Sequence, residues 1–148
     1  MSNADKRFED LARFRKARAE LMPINRTAIL DALSSAKISR VLVEFDGCGD
    51  GGQITEINPH RDGEIVALPE GRVTYIEAEW AKAEPTRKEL PLAEAIEAFS
   101  YCILEECHQG WEDNEGAFGV FVFDVTSGKV QLEFNARVIE SLKSVDWV

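Results

Sequence analysis

The sequence predicts an α+β fold: an antiparallel sheet of about six strands, element order ααββββαββ, with helices packed on one face. Three observations lead there. Apolar residues recur every three to four positions from Asp5 to Ala36 and again from Pro91 to Cys107, but every two positions from Arg40 to Trp80 and from Ala117 to Arg137. All but one of the strand links are short, which parallel pairing does not permit. The length of 148 residues suits one self-sufficient core.

The elements follow in order. Asp5 to Leu21 reads as a helix with Phe8, Leu11, Phe14, Leu21 and Met22 on its apolar arc, and Pro23 is expected to end it. Asn25 is a suitable N-cap for a second helix in which Ile29, Ala32, Leu33 and Ala36 recur as far as Lys37 and Ile38. From Arg40, Val41, Val43 and Phe45 alternate with Leu42, Glu44 and Asp46, a half-buried strand. Gly47 to Gly52 is expected to be a loop, longer than a two-residue hairpin turn, before strand character resumes from Gln53 to Asn58. Asn58 to Gly63 is a turn. Ile65 to Leu68 and Val73 to Trp80 flank the Pro69-Glu70-Gly71-Arg72 turn and complete a four-strand meander.

Lys82 to Leu90 is polar, contains Pro85 and reads as a connection. Pro91 fits the first turn of a helix with Leu92, Ile96, Phe99, Ile103 and Cys107 on one face and Glu94, Glu97, Tyr101 and Glu105 opposite. Ala117 to Val125 and Lys129 to Arg137 form a hairpin through Thr126-Ser127-Gly128. Val138 to Trp147 is expected to be a short helix or irregular tail. The open face of the sheet would collect Glu44, Asp46, Glu77, Glu79, Gln131, Glu133, Asn135 and Arg137. The division expected is a basic N-terminal helix over 1–24 and a single domain over 25–148.

Composition narrows function. A hydrophobic content of 45% with 30% charged residues is that of a soluble globular protein. No apolar run reaches the ~20 residues of a membrane span, and Met1 to Glu20 lacks the pattern of a secretory signal. A cytoplasmic protein is expected. Cys48, Cys102 and Cys107 are too few for a disulfide framework and read as thiols. The net charge of −10 opposes nucleic-acid binding and favours a basic or cationic protein partner. The first twenty residues nevertheless carry six basic side chains against four acidic ones.

Two tracts stand apart, Asp46-Gly47-Cys48-Gly49-Asp50-Gly51-Gly52-Gln53 and Glu105 to Gly116, each crowding glycine and carboxylate at the end of an apolar run. From them come the candidate ligand- or partner-binding residues Asp46, Asp50, Gln53, His108, Trp111, Glu112, Asp113 and Asn114. The first tract copies the start of a calcium-binding EF-hand loop, but its third ligand position is a thiol and its twelfth is Ile57. A looser divalent-cation site would draw on Asp46, Asp50 and Glu112. Phosphate binding is disfavoured, since no helix follows the glycines and no Lys or Arg lies in the loop.

Glu105 and Glu106 fall at the carbonyl end of a helix, where anions are disfavoured by ~0.3–1 kcal/mol each, so solvent, His108 or a cation must offset them. His108 is the leading acid-base group, and Trp111 either plugs the core or offers a stacking surface. Cys48 with His60 or His108 could form a nucleophile-base pair, but no orienting third residue is visible. No catalytic residue and no cofactor is assigned.

The stretches Asn25 to Leu33, Phe45 to Ile54, His108 to Gly119 and Leu132 to Asn135 resemble a bacterial family known only as a domain of unknown function. Its motifs read G-x-G-D-S-G-Q-I and H-G-G-W-E-x-N-x-G-A-x-G, from which Gly52 (or Gly51) and Gln109 depart. The resemblance covers about residues 25 to 136 and implies no activity, ligand or partner. The leading expectation is a noncatalytic binding or regulatory module whose two acidic loops hold a cationic or basic partner. The rivals are a divalent-metal protein, enzyme or not, and an acidic nucleic-acid mimic.

Overall fold

The computed structural model describes residues 3–48, 51–80, 84–108, 110–111 and 116–137. The segment Val138 to Trp147 and the candidates Asp50, Glu112, Asp113 and Asn114 lie outside these. The described elements are α1 (Asn3–Ser35), β1 (Arg40–Cys48), β2 (Gly51–Arg61), β3 (Glu64–Ile65), β4 (Arg72–Glu77), β5 (Thr86–Pro91), α2 (Leu92–Cys107), β6 (Ala117–Asp124) and β7 (Lys129–Ala136). Five strands form one antiparallel sheet in the order β3-β2-β1-β6-β7, and β4 pairs with β5 as a separate hairpin.

The fold is α+β as expected, with the meander corrected. Of the strand expected over Ile65 to Leu68 only Ile65 falls within a strand, β3, with Val66 N donating to Pro59 O just beyond it, and β4 leaves the main sheet. Its partner comes from the polar stretch read as a connection. That stretch makes a strand because the ribbon is exposed enough to keep its charges wet and paired: Lys88 reaches Glu77 at 2.6 Å and Thr74 donates to Glu89 at 2.8 Å.

The two N-terminal helices are one. α1 runs 33 residues, about 50 Å, and continues through Pro23. An interior proline forfeits a backbone hydrogen bond and costs ~3 kcal/mol, so its neighbours must hold the helix together. Asn25 does so, as a clamp and not a cap: its side chain donates to Ile76 O at 2.8 Å and accepts from Ile76 N at 2.9 Å, tying α1 to β4 with Asn25 only 4% exposed. Phe14 packs on Trp80 with centroids 5.8 Å apart, and Arg18 reaches Glu106 at the end of α2. Phe8 stays exposed.

The core lies between the helices and the inner face of the sheet. Val41, Val43 and Phe45 from β1 and Phe121 and Phe123 from β6 meet Ile29 and Leu33 of α1 and Ile96, Phe99 and Leu104 of α2. The buried stripe of α2 is rotated from the expected one. Ala95, Ser100 and Leu104 are inside, whereas Ile103 is half-buried and Cys107 exposed. Ser100 is admitted because its hydroxyl donates to Ile96 O at 2.8 Å within the same helix.

Candidate functional site

The first tract is not a loop through most of its length. β1 and β2 stay paired past the glycines, with Asp46 opposite Gln53, Gly47 opposite Gly52 and Cys48 opposite Gly51. Missing side chains do not stop a backbone ladder. On its other edge β1 pairs with β6, with Asp46 opposite Phe118 and Gly47 opposite Ala117. Gly47 therefore lies between the first tract's returning strand and the strand that leaves the second tract. The two tracts, about sixty residues apart in sequence, share one end of one sheet.

A β-bulge decides which side each residue takes. Glu44 pairs with Glu56 but Phe45 with Ile54, so Thr55 is the extra residue. The bulge reverses the in-out alternation of β2 beyond it, so Gln53 joins Asp46 on the outer face and Gly52 turns inward. The site fastens this irregularity at two points. Ile54 N donates to the Tyr101 hydroxyl of α2 at 2.8 Å, and Thr55 Oγ1 donates to Glu44 O at 3.3 Å.

On the inner side Trp111 is a core plug, 7% exposed. Its indole meets Phe45 edge-on at 5.6 Å and lies over Gly52, where an added Cβ would come within 2.3 Å of Cη2. No side chain fits at 52. Phe45 in turn needs Gly119, since a Cβ there would stand 2.9 Å from its ring and 2.0 Å from Glu133 O. His108 lies flat on Phe134, 3.6 Å between centroids and 2° from parallel, while its backbone N–H donates to Leu104 O to close α2.

On the outer side Arg137 gathers both tracts. One guanidinium nitrogen donates to Gly47 O at 2.8 Å and lies 3.5 Å from Ala117 O; the other meets Asp46 Oδ1 at 2.8 Å. Its Cζ sits 4.9 Å from the centre of the Phe118 ring. Sequence reading placed Arg137 among the open-face residues without a role. Only its position just past β7, level with the start of β6, hinted at one.

Of the described candidates, then, Asp46 and Gln53 stand on the outer face and His108 and Trp111 on the inner, at the same sheet end but not in one pocket. The charge at the end of α2 is offset by Arg18, a neutraliser from the N-terminal helix that local sequence does not reveal: its Nε lies 2.6 Å from Glu106 Oε1.

Among the described residues no group of three or more His, Cys, Asp or Glu is placed to hold a metal ion. His60 faces Arg40 at the far end of the β1–β2 pair from position 48, about 25 Å of strand away. Cys102 borders a cavity of about 290 Å³ between α1, α2 and β4; burial pushes its thiol up, and burial beside that thiol raises the Tyr75 hydroxyl as well. A thiol so shifted is a poor nucleophile.

A family model described as "Family of unknown function (DUF6878)" matches residues 21–146. The chain belongs to this family. The DUF6878 span takes in both tracts, the whole sheet and the part of α1 from Leu21 onward, leaving outside it the helical turns that carry Phe8 and Phe14. No curated protein and no solved structure matches the chain. No helix among the described residues is long and apolar enough to cross a membrane.

Proposed function

We propose that this protein is a noncatalytic binding module that holds a cationic or basic partner at the sheet end shared by the two glycine-acid tracts. The supporting observation is their juxtaposition: Gly47 is paired on one side with Gly52 and on the other with Ala117, and Trp111 rests on Gly52. Asp50, Glu112, Asp113 and Glu115 all lie within a few residues of those paired positions in sequence, and the chain as a whole carries −10. Opposite charge concentrated at one end steers a basic partner and makes its binding salt-sensitive.

The test is a titration of a fluorescent lysine- and arginine-rich peptide with the full chain and with an Asp50→Asn, Glu112→Gln, Asp113→Asn variant. The reading expects binding that weakens as salt rises and falls about tenfold or more in the variant. Absence of binding to the wild type, or equal binding by the variant, would discard it.

A further inference from the structure

We propose that the open face of the five-stranded sheet is a homodimer interface, closed by a second copy of this chain packed face to face. The outward side chains fall in rows across the strands. One row is acidic, with Glu56, Glu44 and Glu133 on β2, β1 and β7. Two residues along each strand is a row centred on Leu42 and Val122, and two further is one that carries His60, Arg40 and Lys129. Leu42, Val122 and His60 are half-buried, and Glu44, Glu56, Glu133, Arg40 and Lys129 are exposed.

The acidic row is unfavourable in a lone chain. Glu44 and Glu56 stand directly opposite each other, an arrangement that costs stability in antiparallel pairs. Among the described residues no ion pair engages Glu44, Glu56, Glu133, Arg40 or Lys129.

A second copy relieves this by symmetry. A two-fold axis lying between two such faces, along the Leu42–Val122 row, leaves each strand over its own counterpart and exchanges the outer rows. Glu44 then faces the second copy's Arg40, Glu133 its Lys129 and Glu56 its His60, with Leu42 and Val122 packed on their counterparts between Asn58 and Gln131. Asp124, in the basic row, falls over Val120 and meets no acid; one of its oxygens already accepts from Ser127 N at 3.2 Å.

Sheets pack in this way about 10 Å apart. With strands about 4.8 Å apart the face is about 20 Å across, the small end of stable interfaces, so the dimer is expected to dissociate in the micromolar range. Asp46 and Gln53 lie one outer position beyond the acidic row, and neither is among the residues paired in the contact. The dimer and the peptide-binding reading can therefore fail separately.

Sedimentation of the full chain across micromolar concentrations tests the proposal. The wild type should dimerise, and Glu44→Lys with Glu133→Lys should weaken dimerisation about tenfold or more, as should Arg40→Glu with Lys129→Glu. An equimolar mixture of the two double variants should recover a dimer, because each then offers the charge the other lacks. Circular dichroism and melting of each variant separate lost association from lost folding. A wild type that stays monomeric would overturn the proposal, as would a dimer indifferent to these charges or a mixture that fails to associate.

Discussion

The two sides of the tract-bearing sheet end use the same strands for different purposes. Inside, Trp111, Phe45, Phe134 and His108 pack against one another over two positions where no Cβ fits, Gly52 and Gly119. Outside, Asp46 and Phe118 stand in solvent around Arg137, with Gln53 exposed opposite Asp46 and Phe118 44% exposed. A conspicuous sequence tract is thus a mixture: one residue in two serves packing, and only its neighbour is available to a partner. Glycine concentration at such a place reports close packing of aromatics as much as it reports a ligand.

The sharpest way to break that comparison is to empty the inner side. Trp111→Ala removes the plug from a filled site and should cost about 3–5 kcal/mol in denaturant unfolding, the range for deleting a buried large aromatic. A cost below 1 kcal/mol would mean that Trp111 belongs with the outer, ligand-facing residues. Its loss would also uncover Gly52 and the edge of Phe45.

The fold class was legible because it depends on periodicity, and the periods of β1, β6 and β7 match their in-out alternation. What escaped depends on distant partners. Pro23 and Asn25 look like a helix stop and a helix start, and only the Ile76 backbone, fifty-one residues on, turns Asn25 into the clamp that lets α1 continue. Lys82 to Leu90 looks like a connection because the charges of its strand, β5, are satisfied across a hairpin by Glu77 and Thr74. Within the site the tracts themselves were legible, and Trp111 as a plug was one of two open readings. Asp46 was rightly placed on the open face, but the sides of Gln53 and Gly52 were not legible, since they hang on a single bulge at Thr55 whose hydrogen bonds go to α2 and to Glu44.

A smaller effect is expected on the outer side. Arg137→Gln severs an ion pair whose side chains are 34% and 50% exposed, together with the hydrogen bond to Gly47 O. Solvent screens the pair, so the expected loss is about 1 kcal/mol, well below that of Trp111→Ala. Much of it should disappear at high salt. A loss as large as that of the indole would show that Arg137 is a structural bolt and that the outer side is no more free than the inner.

The smallest effect comes from the acidic row just beyond the bulge. The Glu56 carboxylate beside Glu44, first by hydrogen bonding and then by burial and charge, raises the Glu44 carboxyl above its ordinary value. A carboxyl raised in the folded state holds its proton more tightly there than in the unfolded chain. Stability contributed by that site is therefore present at low pH and lost as pH climbs through the carboxylate range. At concentrations where the chain is monomeric, Glu44→Gln should raise stability by a few tenths of a kcal/mol at pH 7, the scale of an exposed like-charge pair. At a pH low enough to protonate the Glu44 carboxyl the like-charge repulsion is gone and the gain should vanish. At concentrations where the dimer forms, the same substitution removes the partner of the second copy's Arg40 and the sign at pH 7 should reverse. Paired unfolding curves at low and high protein concentration, each at two pH values, would therefore tell a merely solvated acidic row from one that awaits a second chain.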